Sequence, residues 1–294
     1  MDRRPELARR FFHRYEPVHA VTYFAPEARA ALDGLGYRGF WMGYFAGRAA
    51  PLGMVPTEVV TAVFYNFAPE RVAKSLGAAW SVAGPDNALH AREESAVAAL
   101  RRYGITDGEN VRTAAQLAGK AAKSVGVDGR PLFAANRALP WPDEPVLALW
   151  HAATLLREHR GDAHITVLSA EGVSGRESNI LQVAAGKVPR EYMMRARDYD
   201  ETSWQNHVTA LAERGVLDQH GAMTAAGTKL KDHIEHTTDK LTLSTLDALD
   251  DREVEELFRA LTPITRTVIA AGDIPAMTPM GLGRDDLDDD AAHL

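Results

Sequence analysis

The sequence contains no cysteine in 294 residues. Disulfides, thiolate metal sites and cysteine nucleophiles are therefore excluded, and any metal would have to be held by His, Asp or Glu. No apolar run approaches the roughly 18 residues needed to span a bilayer, and the start shows no charged region, apolar stretch and small-residue cleavage site in succession. These absences read as a cytoplasmic chain. There is no Gly-x-Gly-x-x-Gly after a strand pattern, no Walker loop and no Gly-x-Ser-x-Gly elbow, so dinucleotide, P-loop and serine-hydrolase chemistry lack a sequence basis. What is present is ordinary for a globular protein: 46% hydrophobic and 25% charged residues, with a net charge of −7. Part of that charge lies in residues 284–294, where five aspartates and no aromatic residue describe a solvated tail.

Phe40-Trp41 followed by Arg48 recurs as Leu149-Trp150 followed by Arg157, roughly 110 residues later. At nearly the same offset, Ala99-Leu100-Arg101-Arg102-Tyr103-Gly104-Ile105 matches Ala210-Leu211-Ala212-Glu213-Arg214-Gly215-Val216. The spacing predicts two related halves, residues 1–130 and 131–281, joined by a turn-rich stretch at 126–145, with 282–294 as an acidic disordered tail. In the second half Asp143 is placed to cap a helix carrying Pro145 in its first turn. Leu149, Ala152 and Leu156 form its apolar face, Gly161 stops it, and Asp162 caps a short helix reaching Gly172. Ser174-Gly175-Arg176-Glu177 is a capping box opening a third helix that Gly186 stops. Residues 203–214 are helical, 215–218 and 222–224 read as short strands around His220-Gly221, and 225–241 form a long helix. The first half reads alike: helices at 37–50, 56–64, 69–80 and 94–103, then a stunted wing at 105–112. Helices at 5–15 and 251–271 flank the pair. The expected fold is mainly α, with duplicated winged-helix (helix-turn-helix) domains, small two-stranded wings and flanking helices.

The run Leu211-Ala212-Glu213-Arg214-Gly215-Val216-Leu217, followed by Met223-Thr224-Ala225-Ala226-Gly227-Thr228-Lys229-Leu230, resembles the wing region of MarR-type winged-helix regulators. Glu16-Pro17-Val18-His19, Arg48-Ala49-Ala50-Pro51-Leu52-Gly53 and His159-Arg160-Gly161-Asp162 together resemble an actinobacterial family of tandem helix-turn-helix proteins, over nearly the whole chain. The MarR side of the resemblance implies dimer-like packing and a ligand pocket between helices; it hands over no catalytic residues. The segment before the second wing, residues 198–206, carries Asp198, Asp200 and Glu201, and residues 87–94 of the first half are no more basic. Acids at a groove-facing helix repel phosphates, which argues against sequence-specific binding to duplex DNA; Arg195 and Arg197 are the basic residues nearest to such a contact.

Arg157, Arg160 and His164 fall at i, i+3 and i+7, and His159 shares a face with Leu149 and Leu156. Arg48 repeats Arg157, and Asn66 lies among Phe64, Tyr65 and Phe67. His13, Glu16 and His19 stand at i, i+3 and i+6, where Pro17 is expected to bend the first helix. The expected site is a pocket between the halves, lined by Glu16, His19, Arg48, Asn66, Arg157, His159, Arg160, Asp162 and His164. In it Arg48 and Arg157, with Asn66 and Arg160, hold an anionic or polar group. His159 or His19 moves a proton, Glu16 or Asp162 orients the imidazole, and His159, Asp162 and His164 form a constellation able to hold a divalent ion or to act as acid and base. The plainer alternative makes His159 and Arg160 partners of the last helix carbonyls and Asp162 a cap. The expected function is binding of a small anionic or polar molecule, with or without acid–base catalysis, on a fold that has lost DNA reading. The rivals are a MarR-like ligand-responsive regulator and a ligand-sequestering protein. No cofactor is named by the sequence, a metal and an oligomer stay open, and fold alone separates none of these.

Overall fold

Apolar spacing becomes helix throughout residues 3–279 and 286–294, the part described by this computed structural model. The chain begins with α1 (Glu6–Phe24), α2 (Pro26–Gly34), α3 (Gly39–Ala49), α4 (Thr57–Val63), α5 (Pro69–Leu76) and the short α6 (Ala79–Val82). It continues through α7 (Pro85–Arg102), α8 (Glu109–Ser124), α9 (Pro131–Arg137) and α10 (Pro145–Ala170). Then come α11 (Gly175–Ala184), α12 (Arg190–Arg197), α13 (Glu201–Glu213), α14 (Ala225–Leu243) and α15 (Asp251–Ala270). Proline opens α2, α5, α7, α9 and α10, where its fixed φ suits the first turn and its missing N–H is no loss. No helix among the described residues is long and apolar enough to cross a membrane.

Three cores organise these helices. The central one joins α1, α8 and α15 to the second half of α7 and the first half of α10, around Phe11, Leu100, Trp150 and Phe258. A first lobe, α3 to α6 with the start of α7, closes around Phe45, Phe64, Val72 and Leu76. A second lobe, the end of α10 with α11 to α14, closes around Leu168, Ile180, Met193 and Leu211. The central core thus takes residues from both sides of position 130. It also takes Ala292 of the expected tail.

The longest helix departs most from its expected form. Glu144, not Asp143, is the N-cap of α10, accepting from the Val146 and Leu147 amides. Gly161 does not stop it and Asp162 does not cap a following helix: both lie inside 26 continuous helical residues, and Asp162 instead accepts from an amide in the first turn of α9. A mid-helix glycine costs about 1 kcal/mol relative to alanine, which burial of Ala163, Val167 and Leu168 beyond it outweighs at roughly 1.5–3 kcal/mol for each larger side chain. The stop is Gly172, at φ 63°, with the Val173 amide returning to the Leu168 carbonyl in a Schellman-type cap. Helix α1 likewise continues through Pro17. The Thr265 hydroxyl of α15, 2.6 Å from the Arg14 carbonyl, supplies a donor near the place where proline removes one.

The Ser174–Glu177 capping box forms as read. The wings do not form strands among the described residues: Leu217 and Met223 make one isolated antiparallel bridge, and the expected wing at 105–112 is a turn running into α8. Leu100 and Leu211 are both fully buried, and each accepts a hydrogen bond at the same cap, from Ile105 and Val216, around Gly104 and Gly215. Trp41 and Trp150 differ, one partly buried on α3 and the other fully buried in α10. Of the expected tail, 282–285 lie outside the described residues; 286–294 pack on α1 instead of extending into solvent. There Asp286 meets Arg10, His13 and Arg14.

Candidate functional site

Between the two lobes, over α1 and the middle of α10, lies a cavity of about 740 Å³. Its walls are apolar where the lobes face each other, with Val63, Phe64 and Phe67 on one side and Ile165 and Met223 on the other. Its deep side is charged. Two contacts hold the lobes at this distance. The Asn66 amide donates to Ser178 Oγ at 2.7 Å and the Asn66 carbonyl accepts from Asn179 at 2.9 Å. Gly175 opens α11 directly under Tyr65, so close that an added Cβ would lie 1.7 Å from the Tyr65 carbonyl oxygen. Only glycine fits that approach.

Glu158 is the centre of the charge arrangement. Arg48, from α3, grips both its oxygens at 3.2 Å through Nε and Nη2, a bidentate fork. Arg157 donates to the same carboxylate at 2.8 Å. Burial works against the Glu158 charge, yet Arg157 and Arg48 hold its carboxyl well below the usual carboxylate range. Arg157 also points Nε at Glu16 Oε1, 3.5 Å away. Glu16 is 1% exposed and its Oε2 has no hydrogen-bond partner. Burial pushes its carboxyl up to about 7, with Arg157 pulling down and Glu158 adding to the rise. The guanidinium of Arg48 lies over the Phe64 ring at 4.4 Å and that of Arg197 over Phe67 at 4.2 Å, stacking that flat, weakly hydrated guanidinium favours. Arg197 Nε has no hydrogen-bond partner, and no ion pair involves Arg197 among the described residues.

The nine expected site residues divide. Glu16, Arg48, Asn66, Arg157, Arg160 and His164 line the cavity. Arg160 is held by Asp239 at 2.7 Å and by Thr242, and His164 Nδ1 lies 3.0 Å from Thr238 Oγ1, with burial lowering its pKa to about 4. Asn66 is occupied as the tie between lobes.

His19, His159 and Asp162 are not among the lining residues and do not form the expected proton-transfer set. His19 is bonded to Thr154 and Tyr23, and burial, then Arg157, keep it neutral. His159 faces the edge of Phe133; its Nδ1 has no partner, and burial lowers its pKa to about 3. Asp162 does not fix the His159 tautomer: it accepts from the Phe133 amide at 2.9 Å, and burial raises it to about 7. The spacing that put these residues together belongs to a helix end, and α10 does not end there. Neither the His159–Asp162–His164 set nor His13, Glu16 and His19 makes a metal site, for no group able to hold an ion occurs among the described residues.

Sequence reasoning missed Glu158 and Arg197. A carboxylate beside Arg157, directly after the apolar face of Leu149, Ala152 and Leu156, was the available signal, since a buried charge requires a partner. Arg197 was assigned to the surface. Its approach to Phe67 depends on how the lobes meet, which no local pattern records.

No curated protein and no solved structure matches the chain. Residues 8–275 match a helix-turn-helix family, a span that takes in α1 to α15 and every residue of the cavity except Pro279; the chain belongs to that helix-turn-helix family.

Proposed function

We propose that the protein binds a small amphipathic anion, such as a carboxylate with an apolar body, in the cavity between its lobes. The observation that carries this reading is the excess of cation lining the cavity: Arg48 and Arg157 share Glu158, while Arg197 makes no ion pair among the described residues. A guanidinium in a partly dry cavity suits a carboxylate, and the facing apolar walls suit its body. Catalysis is not part of the proposal, because His19 and His159 sit behind the wall and His164, which lines it, is engaged by Thr238 and held neutral by burial. The matched helix ends at Leu100, in the central core, and Leu211, in the second lobe, support descent of the two halves of the chain from one duplicated unit.

Loss of DNA reading belongs to the same proposal. The exposed side of α13 presents Glu201, Thr202, Gln205, Asn206 and Glu213, and the flanking Arg190 and Arg214 are paired with Glu201 and Glu177. Phosphate affinity needs unpaired cations there. Family membership favours a second reading, a ligand-responsive regulator. Duplex binding with a steep salt dependence would select it.

The test is calorimetric titration with 4-phenylbutyrate and with its neutral amide. The acid is expected to bind at least tenfold tighter than the amide, and Arg157→Gln to remove most of that preference, about 1.4 kcal/mol or more. Equal affinity for acid and amide overturns the reading.

A further inference from the structure

The charges around Glu16 balance in two ways, and only one leaves a place for an anion. Arg48 and Arg157 carry two positive charges and Glu158 one negative charge. Ionised Glu16 brings this group to zero; protonated Glu16 leaves it one positive charge in excess. A buried cluster favours neutrality, so the excess is relieved either by Glu16 itself or by a bound anion.

No other neighbour takes over that role. From α14, Glu235 and Asp239 come toward α1, but Arg9, Lys231 and Arg160 hold them. The inward charge of α7, Arg92, is bonded to the Gly47 carbonyl and Asn136. Glu27 of α2 pairs with Arg102. Helix α15 meets α1 here with the hydroxyls of Thr262 and Thr265. On α1 itself His13 pairs with Asp286 and His19 is bonded to Thr154 and Tyr23. Glu16 is thus the titratable group facing the Arg157 side of the cavity, and its Oε2 is unbonded and buried.

We propose that a carboxylate entering the cavity replaces Glu16 as counter-ion of Arg157 while Glu16 takes up one proton from solvent, its new hydroxyl donating to the ligand. The proposal rests on the anion reading above and adds its regulation: binding is coupled to pH. No covalent bond to carbon forms or breaks; the ligand's negative charge is matched by the proton. Burial has already brought the Glu16 carboxyl up to about 7, so the uptake falls in the neutral range.

The experiment titrates the full chain with 4-phenylbutyrate at about pH 8 in two buffers of different protonation enthalpy, with Glu16→Gln in parallel. Close to one proton is expected to be taken up per ligand bound, with affinity falling toward tenfold per pH unit on the alkaline side. Glu16→Gln, uncharged at every pH, is expected to bind with no uptake and a flat pH profile. The same pH dependence in both proteins overturns the coupling and leaves the anion reading standing. Absence of binding by both at any pH overturns the anion reading and the coupling with it. Infrared difference spectra of the unmodified chain need no variant: ligand is expected to increase the protonated-carboxyl band at about pH 8, and an unchanged band overturns the coupling.

Discussion

Two faces of α10 carry polar groups, and they have opposite electrostatic fates. Arg157, Arg160, Gly161 and His164 line the cavity; Arg157 pairs with Glu16 and Glu158, and Arg160 with Asp239. His151, His159 and Asp162 face the packed interior toward α8 and α9. On the cavity face the arginines keep their charge because each finds a buried carboxylate, whereas burial keeps His164, on the same face, neutral. On the inner face no ion pair forms among the described residues, and burial drives each group toward its neutral form: His159 to about 3, His151 to about 4, Asp162 to about 7. The state of a buried polar group on this helix therefore follows from whether an ion-pair partner lies within reach: ionised and paired, or neutral and packed.

The largest effect is expected where that difference is abolished. Glu158→Gln keeps the shape but leaves Arg48 and Arg157 facing each other without their shared anion. Breaking a buried pair in this way costs about 3–5 kcal/mol, readable as a lowered denaturant midpoint. Asp162→Asn on the inner face replaces a group that burial already favours as neutral and retains an acceptor for the Phe133 amide. Its expected cost is within about 1 kcal/mol. Equal losses would erase the distinction between the faces.

His159 gives the next test, since the sequence placed it at the ligand and the structure places it against Phe133. His159→Ala is expected to lose about 1–2 kcal/mol of stability through packing while leaving 4-phenylbutyrate affinity within about twofold, against the tenfold or greater loss at Arg157. A large drop in affinity with unchanged stability would return His159 to the site.

The sequence made the helices legible because their apolar spacing, proline starts and capping boxes are local. Asp250 and Ser174 cap where side chain and spacing agree. Six of the nine expected residues meet at one cavity, among them three arginines and a carboxylate that, inside helices, require partners. What was not legible is the outcome of competition. Gly161 looks like a stop, yet burial further along α10 overrides it; Asp162 looks like a cap only if the stop is real, and the His159 assignment inherited that error. Helices α2, α8, α9 and α12 were missed because turn formers drew the start of α8 and all of α9 into a wing and a linker, and α2, α9 and α12 are short segments that tertiary packing rather than propensity holds. The lobe junction at Gly175 and Tyr65 was out of reach, since it joins residues 110 positions apart.

A smaller signal comes from pH and follows burial on both faces. Asp162 and Glu16, raised in the folded chain, contribute stability that is full below their ordinary carboxylate range and is lost as pH rises toward about 7. His151, His159 and His164, lowered in the folded chain, contribute stability present above their ordinary value and lost as pH falls toward about 4 and about 3. Asp162→Asn is therefore expected to improve relative to the unmodified chain as pH is raised from about 4 to about 7.5, and His159→Leu to improve as pH is lowered from about 6.5. Denaturation midpoints across that range read both slopes, and parallel curves would mean that the inner face stays charged.

The smallest effect, and the one most specific to the cavity face, is expected at Gly161. An added Cβ would meet Arg157 Nη1 and Glu158 Oε2 at 3.6 Å, ordinary van der Waals contact, so alanine fits without moving backbone. Gly161→Ala is then expected to raise stability by up to about 1 kcal/mol, because alanine restores the helix propensity that glycine forgoes. It also places a methyl group beside the two charged groups that a ligand anion would approach, and 4-phenylbutyrate should bind a fewfold more weakly for lack of room. A residue kept as glycine for packing would show the opposite pair, lower stability and unaltered binding. Stability and affinity moving in opposite directions at this position would mark Gly161 as space reserved on the cavity face of a helix whose other face has none.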